Sequence, residues 1–364
     1  MGLNIKDLKI IFALEEDPTI TITDLAKKLN ISRPTIKTHL EKLKDAGMLR
    51  KPIALIKPEK MGLERKHIFV SVPNLESLEI LEKSGDEHPY TRYRARTFGG
   101  TFGLYMQFEI PPKTDNLLRE FFQILKEKKF VNDFKTFSST GVRIESYPDI
   151  NKFNQDNLSW DFSWESWFNN LKNYSYTIKQ SKEEPLEKSE YKPIHLNILS
   201  ELSYEGGKHT QTELKDKFRL SKTEAHRQYS KVIEQYVDRF RLLYDRKSFN
   251  LTETCLAIAN LVDSKTQGRI FNQIKENPPP FHFRLELLEN ANVIMWGSMS
   301  TLQADQFAFS AWKKLKNLEM YILSTQFGRA RLYYFHPDNF DFDSQDWIKT
   351  HKYIVDEPIQ RLKI

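Results

Sequence analysis

The chain has 364 residues, 39% of them hydrophobic and 13% aromatic, which is more than one hydrophobic core usually organises, so two to four compact units are expected. Its mean hydropathy of -0.59, the lack of any apolar run near the ~20 residues that span a bilayer, and the polar start "MGLNIKDLK" predict a cytoplasmic protein with no membrane partner. The single cysteine, Cys255, excludes an intrachain disulfide and a cysteine-built metal centre, while 55 basic against 49 acidic residues give a net +6 that signals a polyanion only where it is concentrated.

Residues 32–51 concentrate it, with six basic side chains against two acidic ones. In "NIKDLKIIFALEED", Leu8, Ile11 and Phe12 recur at helical spacing, and Pro18 closes this first helix. Thr21 with Asp24 three residues on resembles a capping box, and Leu25, Ala26 and Leu29 give a second, short apolar face ending at Asn30. Ser32 caps a third helix with Pro34 in its first turn; Ile36, Leu40 and Leu43 face inward and Gly47 stops it. Arg33, Thr35, Lys37, Thr38, Glu41 and Lys42 are thereby turned outward, a row of cations and short hydroxyls on a helix that fits a major groove about 12 Å wide. The next stretch, "MLRKPIALIKPEKMGL", reads as two short extended pieces carrying Arg50 and Lys51, as a wing would. Three helices followed by a wing point to double-stranded DNA.

The run "DLAKKLNISRPTIKTHLEKLKDAGMLRKPIALIKPEKMGL" resembles the Lrp/AsnC (feast/famine) transcription regulators of bacteria and archaea, including the Gly–apolar–apolar exit from the third helix and the Pro-Glu-Lys-x-Gly turn. That resemblance covers about 60 residues and implies that residues 32–42 are the recognition helix, with Arg50 and Lys51 near the phosphates.

Downstream, "HIFVSVP" reads as a strand, "NLESLEILEKSG" as a helix, "YTRYRARTF" and "LYMQFEIP" as a hairpin around "GGTFG", "DNLLREFFQILKEK" as a helix and "VNDFKTFSSTGVRIES" as a strand. The order βαββαβ predicts a ferredoxin-like sandwich. The same order serves the Lrp/AsnC family as its ligand-sensing and oligomerising domain, so the resemblance implies a small-molecule effector near Gly99, Gly100, Thr101 and Gly103. The family's turn usually pairs Gly with Asp, and no carboxylate stands in this one.

A shift of 189 residues places Thr21 on Thr210, Asp24 on Glu213, Leu25 on Leu214, Ser32 on Ser221, Ile36 on Ala225 and Leu43 on Val232. Arg33, Thr38 and Lys42 fall on Lys222, Arg227 and Lys231, and "CLAIANLV" to "EMYILSTQFGRARLYYF" again reads βαββαβ. A tandem duplication is expected. The second unit's wing, "DRFRLLYDRK", brings Arg239 and Arg241, while Glu224 replaces Thr35 and could close a capping box with Ser221. Between the halves, Trp160, Trp164 and Trp167 at i, i+4 and i+7 predict one aromatic helix stripe, suited to packing on a sandwich or partner rather than to stacking on single-stranded bases.

No phosphate loop, His-Glu-x-x-His, Gly-x-Ser-x-Gly or paired-cysteine site is present, and His39, His195, His209 and His226 are scattered, so neither an enzyme nor a cofactor or metal is expected. The expected fold is α+β, two winged helix-turn-helix domains each followed by a ferredoxin-like sandwich: residues 1–62 and 63–150, a Trp-rich helix and linker at 151–190, then 191–252 and 253–364. A regulator with two DNA-reading units follows, with Arg33, Thr35, Lys37 and Thr38 expected at base edges and Lys42, Arg50 and Lys51 on phosphates, either a homodimer through its ferredoxin-like sheets or a pseudo-dimeric monomer. A plasmid-type replication initiator with tandem winged helices, or a ligand-sensing or protein-interaction module, fits the same elements.

Overall fold

The computed structural model describes residues 3–99, 101–178, 184–187, 190–261, 263–326 and 328–364. It opens with α1 (Ile5–Glu16), α2 (Ile22–Leu29) and α3 (Arg33–Asp45), each started by a short polar side chain. Asn4 forms a full capping box with Asp7, Thr21 accepts the Asp24 N–H, and Ser32 accepts the Thr35 N–H. The turn between α2 and α3 rests on Asn30, whose φ of 52° is a left-handed geometry that asparagine tolerates better than most residues.

Next come β1 (Ile53–Ile56), β2 (Glu64–Ser71), α4 (Leu75–Glu87), β3 (Thr91–Phe98), β4 (Gly103–Ile110), α5 (Asp115–Glu127) and β5 (Asp133–Ser146). A ribbon of β6 (Phe153–Asn154) and β7 (Ser159–Trp160) precedes α6 (Trp164–Asn169), α7 (Pro193–Leu202), α8 (Gln211–Phe218), α9 (Lys222–Tyr236) and β8 (Val237–Arg241). The remainder is β9 (Glu253–Asn260), α10 (Ser264–Glu276), β10 (Phe283–Leu288), β11 (Asn292–Met299), α11 (Thr301–Lys314), β12 (Leu318–Ser324), β13 (Ala330–Leu332), β14 (Phe340–Asp341), β15 (Asp346–Trp347) and α12 (Glu357–Leu362). The class is mixed α+β. Strand neighbours run β5-β2-β4-β3 in one stretch and β12-β9-β11-β10 in the other.

The two extended pieces expected of a wing do not pair with each other. Instead β1 pairs with β8, extended by the Leu49–Tyr244 bridge, so each strand satisfies backbone groups that would otherwise face solvent alone.

Contacts divide the chain into two compact units, neither of them continuous. The first holds the described residues of 1–53, 142–180 and 240–322. Its core brings Phe12 of α1 to 4.8 Å from Phe249 and 6.0 Å from Trp160, ring centre to ring centre, and Trp160 donates its indole N–H to the Phe249 carbonyl at 3.0 Å. Trp164 is fully buried, with Phe283 at 5.2 Å and Phe307 at 4.7 Å. The expected stripe of three tryptophans on one helix is corrected here. Ser163 caps α6 by accepting the Ser166 N–H, so the helix starts after Trp160, which lies in β7 opposite Phe153. All three indoles are buried, which leaves no face for stacking on bases.

The second unit holds the described residues of 54–141, 181–239 and 323–364. Tyr191 packs on Phe340 at 4.8 Å, and Trp347 donates its indole N–H to the Met61 carbonyl at 2.9 Å. Buried charges on the strands are paired: Glu109 holds Arg65 at 2.7 Å and Arg92 at 3.0 Å, and Glu82 holds Arg94 at 2.8 Å and Arg96 at 2.7 Å. Such pairs offset much of the desolvation they suffer, and losing either partner strands the other.

Trp164→Ala is expected to lower stability by about 3–5 kcal/mol, because the indole occupies a site with no exposure and neighbours on three elements. Equilibrium denaturant unfolding against the wild type checks this; a loss under about 1 kcal/mol would contradict the packing.

Candidate nucleic-acid interface

Helix α3 is fixed from behind. Ile36 and Leu43 are fully buried in one core with Leu8, Ile11, Phe12, Leu25 and Ala26, so the opposite side is turned to solvent by helix geometry alone. Ser32, Arg33, Lys37 and Thr38 are exposed there and Thr35 is half-buried. The Ser32 and Thr35 hydroxyls lie 2.7 Å apart, and Thr38 donates to the Pro34 carbonyl at 3.1 Å, which leaves its oxygen able to accept. Lys37 has only Glu41, at 3.9 Å with both side chains more than half exposed, a pair that contributes little. Arg33 has no hydrogen bond or ion pair among the described residues.

Lys42 differs. Its Nζ lies 2.9 Å from Asp7 Oδ2, and His39 Nδ1 lies 2.6 Å from Asp7 Oδ1. Asp7 is fully buried, and burial alone would raise its pKa. The hydrogen bonds from Lys42, His39 and the Asn4 N–H outweigh that and hold the carboxyl below its usual value. Asp7 was not singled out by sequence reasoning, although the Asn4-x-x-Asp7 capping pattern was an available signal, and His39 was read there only as one of the scattered histidines.

Arg50 and Lys51 are exposed just before β1. In the second set of helices, Arg219 adopts φ 54° where Asn30 stands in the first, and Thr210 with Glu213 makes a full capping box. Lys222 is exposed at the start of α9 and Lys231 is half-buried on it. Ser221 accepts the Glu224 N–H, but the expected box does not close: Glu224 instead takes Arg227 at 2.8 Å and also binds Gln228. Those hydrogen bonds lower the Glu224 pKa. Arg239 sits 3.1 Å from Asp238, and half-buried Arg241 exerts its field on the buried Glu15.

At the hairpin between β3 and β4, Gly99 has φ 99°, and a Cβ on Gly103 would lie 1.8 Å from the Val70 carbonyl oxygen, so backbone geometry accounts for both glycines. Thr101 is exposed, and Gly100 lies outside the described residues. Among the described residues no group of three or more His, Cys, Asp or Glu could hold a metal ion, and no helix is long and apolar enough to cross a membrane.

Comparison with known proteins bears on this helix first. Residues 3–50 match the winged helix-turn-helix DNA-binding family. Over 58 residues the chain is 34% identical to the proline dehydrogenase transcriptional activator of Rhizobium radiobacter, a match covering 16% of this chain and 37% of that protein. The chain thus spans about 37% of the length of the curated relative it matches. Among solved structures, the siroheme decarboxylase NirDL superposes with a TM-score of 0.55 at 14% identity, covering 99% of this chain and 100% of that one. An AsnC family transcriptional regulator from Agrobacterium tumefaciens gives a TM-score of 0.34 at 21% identity over 43% of this chain and 100% of its own.

The expectation that the chain is not an enzyme is corrected by this result. It rested on the lack of a catalytic sequence motif, yet a solved structure that shares the fold over 99% of this chain is that of an enzyme.

Asp7→Asn is expected to lower stability by about 2–3 kcal/mol near neutral pH, since it leaves Lys42 and His39 without their charged partner. Because the folded pKa is depressed, the wild type's advantage exists above the ordinary carboxylate range and disappears as pH falls through the folded value. Thermal melts of both proteins across pH check it; a difference that does not shrink on acidification contradicts the assignment.

Proposed function

We propose that the chain is a DNA-binding transcription regulator of Lrp/AsnC type with two DNA-reading units. The observation that carries the reading is the outward row Arg33, Lys37 and Thr38 on a helix whose inner residues Ile36 and Leu43 are locked in a core, within a segment that matches a winged helix-turn-helix DNA-binding family. Arg33, Thr35, Lys37 and Thr38, beside the capping Ser32, approach base edges. Arg50 and Lys51 take phosphates. Lys42, already neutralised by Asp7, contributes to the helix's seating more than to phosphate binding.

Repetition supports the second unit. The strand order repeats, and left-handed residues recur at Asn30 and Arg219. The ribbons repeat as well, Phe153 opposite Trp160 and Phe340 opposite Trp347, with each indole donating to a backbone carbonyl. The reading is thus of two winged helix-turn-helix and ferredoxin-like pairs, divided at 1–62, 63–150, 191–252 and 253–364, a pseudo-dimer within one chain. Its two readers are unequal, since α9 carries the carboxylate of Glu224 where α3 has the hydroxyl of Thr35, so an asymmetric DNA site suits it better than a palindrome. Lys222 and Lys231 are the second unit's remaining phosphate candidates.

A second reading, activity on a siroheme-like tetrapyrrole, is supported by the end-to-end fold likeness to NirDL. Absorbance titration with siroheme separates it from the first.

Titration of genomic DNA fragments across salt tests the leading proposal. Arg33→Ala/Lys37→Ala should weaken site-specific binding about 10–100-fold and reduce the salt slope by about two. Lys42→Ala should leave that slope nearly unchanged. Binding by the double variant equal to wild type would sink the assignment of α3 as reader.

A further inference from the structure

Helices α5 and α11, which follow β4 and β11 at matching places in the two strand orders, show solvent different faces. On α5 the exposed positions are polar, among them Asn116, Arg119, Glu120 and Gln123. On α11, Leu302 is 66% exposed, Phe309 54% and Trp312 69%. Spacings of seven and three residues put these three on one stripe running the length of the helix. Phe307 and Ala311 on the opposite side are fully buried, so the helix cannot roll to hide the stripe without emptying its own core.

Charge makes the stripe self-complementary. Asp305 is exposed four residues before Phe309, and Lys313 is exposed four residues after it, followed by exposed Lys316. Lys313 has an intrachain partner in Glu165 at 3.6 Å, but both side chains are about two-thirds exposed, so that pair is weak and readily exchanged. An isologous interface requires one patch to fit itself. Two copies of α11 laid antiparallel about Phe309 bring Asp305 of each toward Lys313 and Lys316 of the other, with the apolar side chains between and the helix dipoles opposed.

We propose that two copies of this chain associate through α11, antiparallel about Phe309. One helix stripe is small beside the ~800 Å² per partner of standard interfaces, so the expected dissociation constant lies in the range of about 1–100 µM. Each charge pair occurs twice across the twofold axis, which doubles the effect of any single substitution.

Sedimentation velocity of the full chain over that concentration range is the test. The wild type should shift from 43.1 kDa toward twice that mass, and Phe309→Ala/Trp312→Ala should remain monomeric with an unchanged far-ultraviolet circular dichroism spectrum. Asp305→Lys should weaken association about tenfold, and adding Lys313→Asp and Lys316→Asp to the same chain should recover it. A wild type that stays monomeric at about 100 µM overturns the proposal, as does a dimer that survives the aromatic double variant, since another surface then forms it. Failure of the charge swap to recover association removes the antiparallel pairing.

Discussion

Phe12 depends on Phe249 and Trp160, and through that contact the N-terminal helices depend on sequence far downstream. Helix α1 is the plate on which α3 lies, so the aromatic cluster behind α1 sets where α3 points. A polar tie at the end of α1 reinforces it. Glu15 is buried, accepts the Tyr244 hydroxyl, and lies in the field of Arg246, which itself donates to Ser298 Oγ at 2.7 Å on β11. Burial raises the Glu15 pKa in spite of those partners, the mark of a carboxyl tolerated inside only because a network surrounds it.

Cations on α3 and α9 differ in their partners. Lys42 is held by the buried Asp7, Arg227 makes an exposed pair with Glu224 at 2.8 Å, Lys37 has Glu41 only at 3.9 Å, and Arg33 has no ion pair among the described residues. A count of basic residues treats all four alike, but only a cation without a strong internal partner can release counterions from a phosphate. The difference between the two helices therefore lies in neighbours more than in charge. Thr35 in one and Glu224 in the other occupy the same turn, and only the carboxylate can hold an arginine one turn along its own helix.

Local elements were legible from sequence because their causes are local. Thr21, Ser32, Thr210 and Ser221 cap the helices they precede, and alternating or 3.6-period apolar residues become strands and helices. What stayed hidden were relations between distant residues: β1 pairing with β8, Trp347 reaching the Met61 carbonyl, and Lys42 finding Asp7. The aromatic ribbons escaped notice because two-residue strands have no periodicity to detect. In the candidate site, the exposure of Arg33 and Lys37 was readable from the positions of Ile36 and Leu43, while the engagement of Lys42 and Arg227 was not. Function was less legible than fold, since a fold shared with a solved enzyme structure leaves the chemistry to side chains that no sequence motif here marked.

The interleaving of the units has a consequence for biosynthesis. The unit that contains α1 to α3 also draws on residues 240–322, so those helices emerge from the ribosome long before their supporting aromatics exist. At about 5–20 residues per second, the back of α1 waits for on the order of tens of seconds with Phe12 uncovered. During that interval the nascent chain presents an unpaired apolar surface, so it makes a greater demand on chaperones than a protein built from successive, self-sufficient domains would.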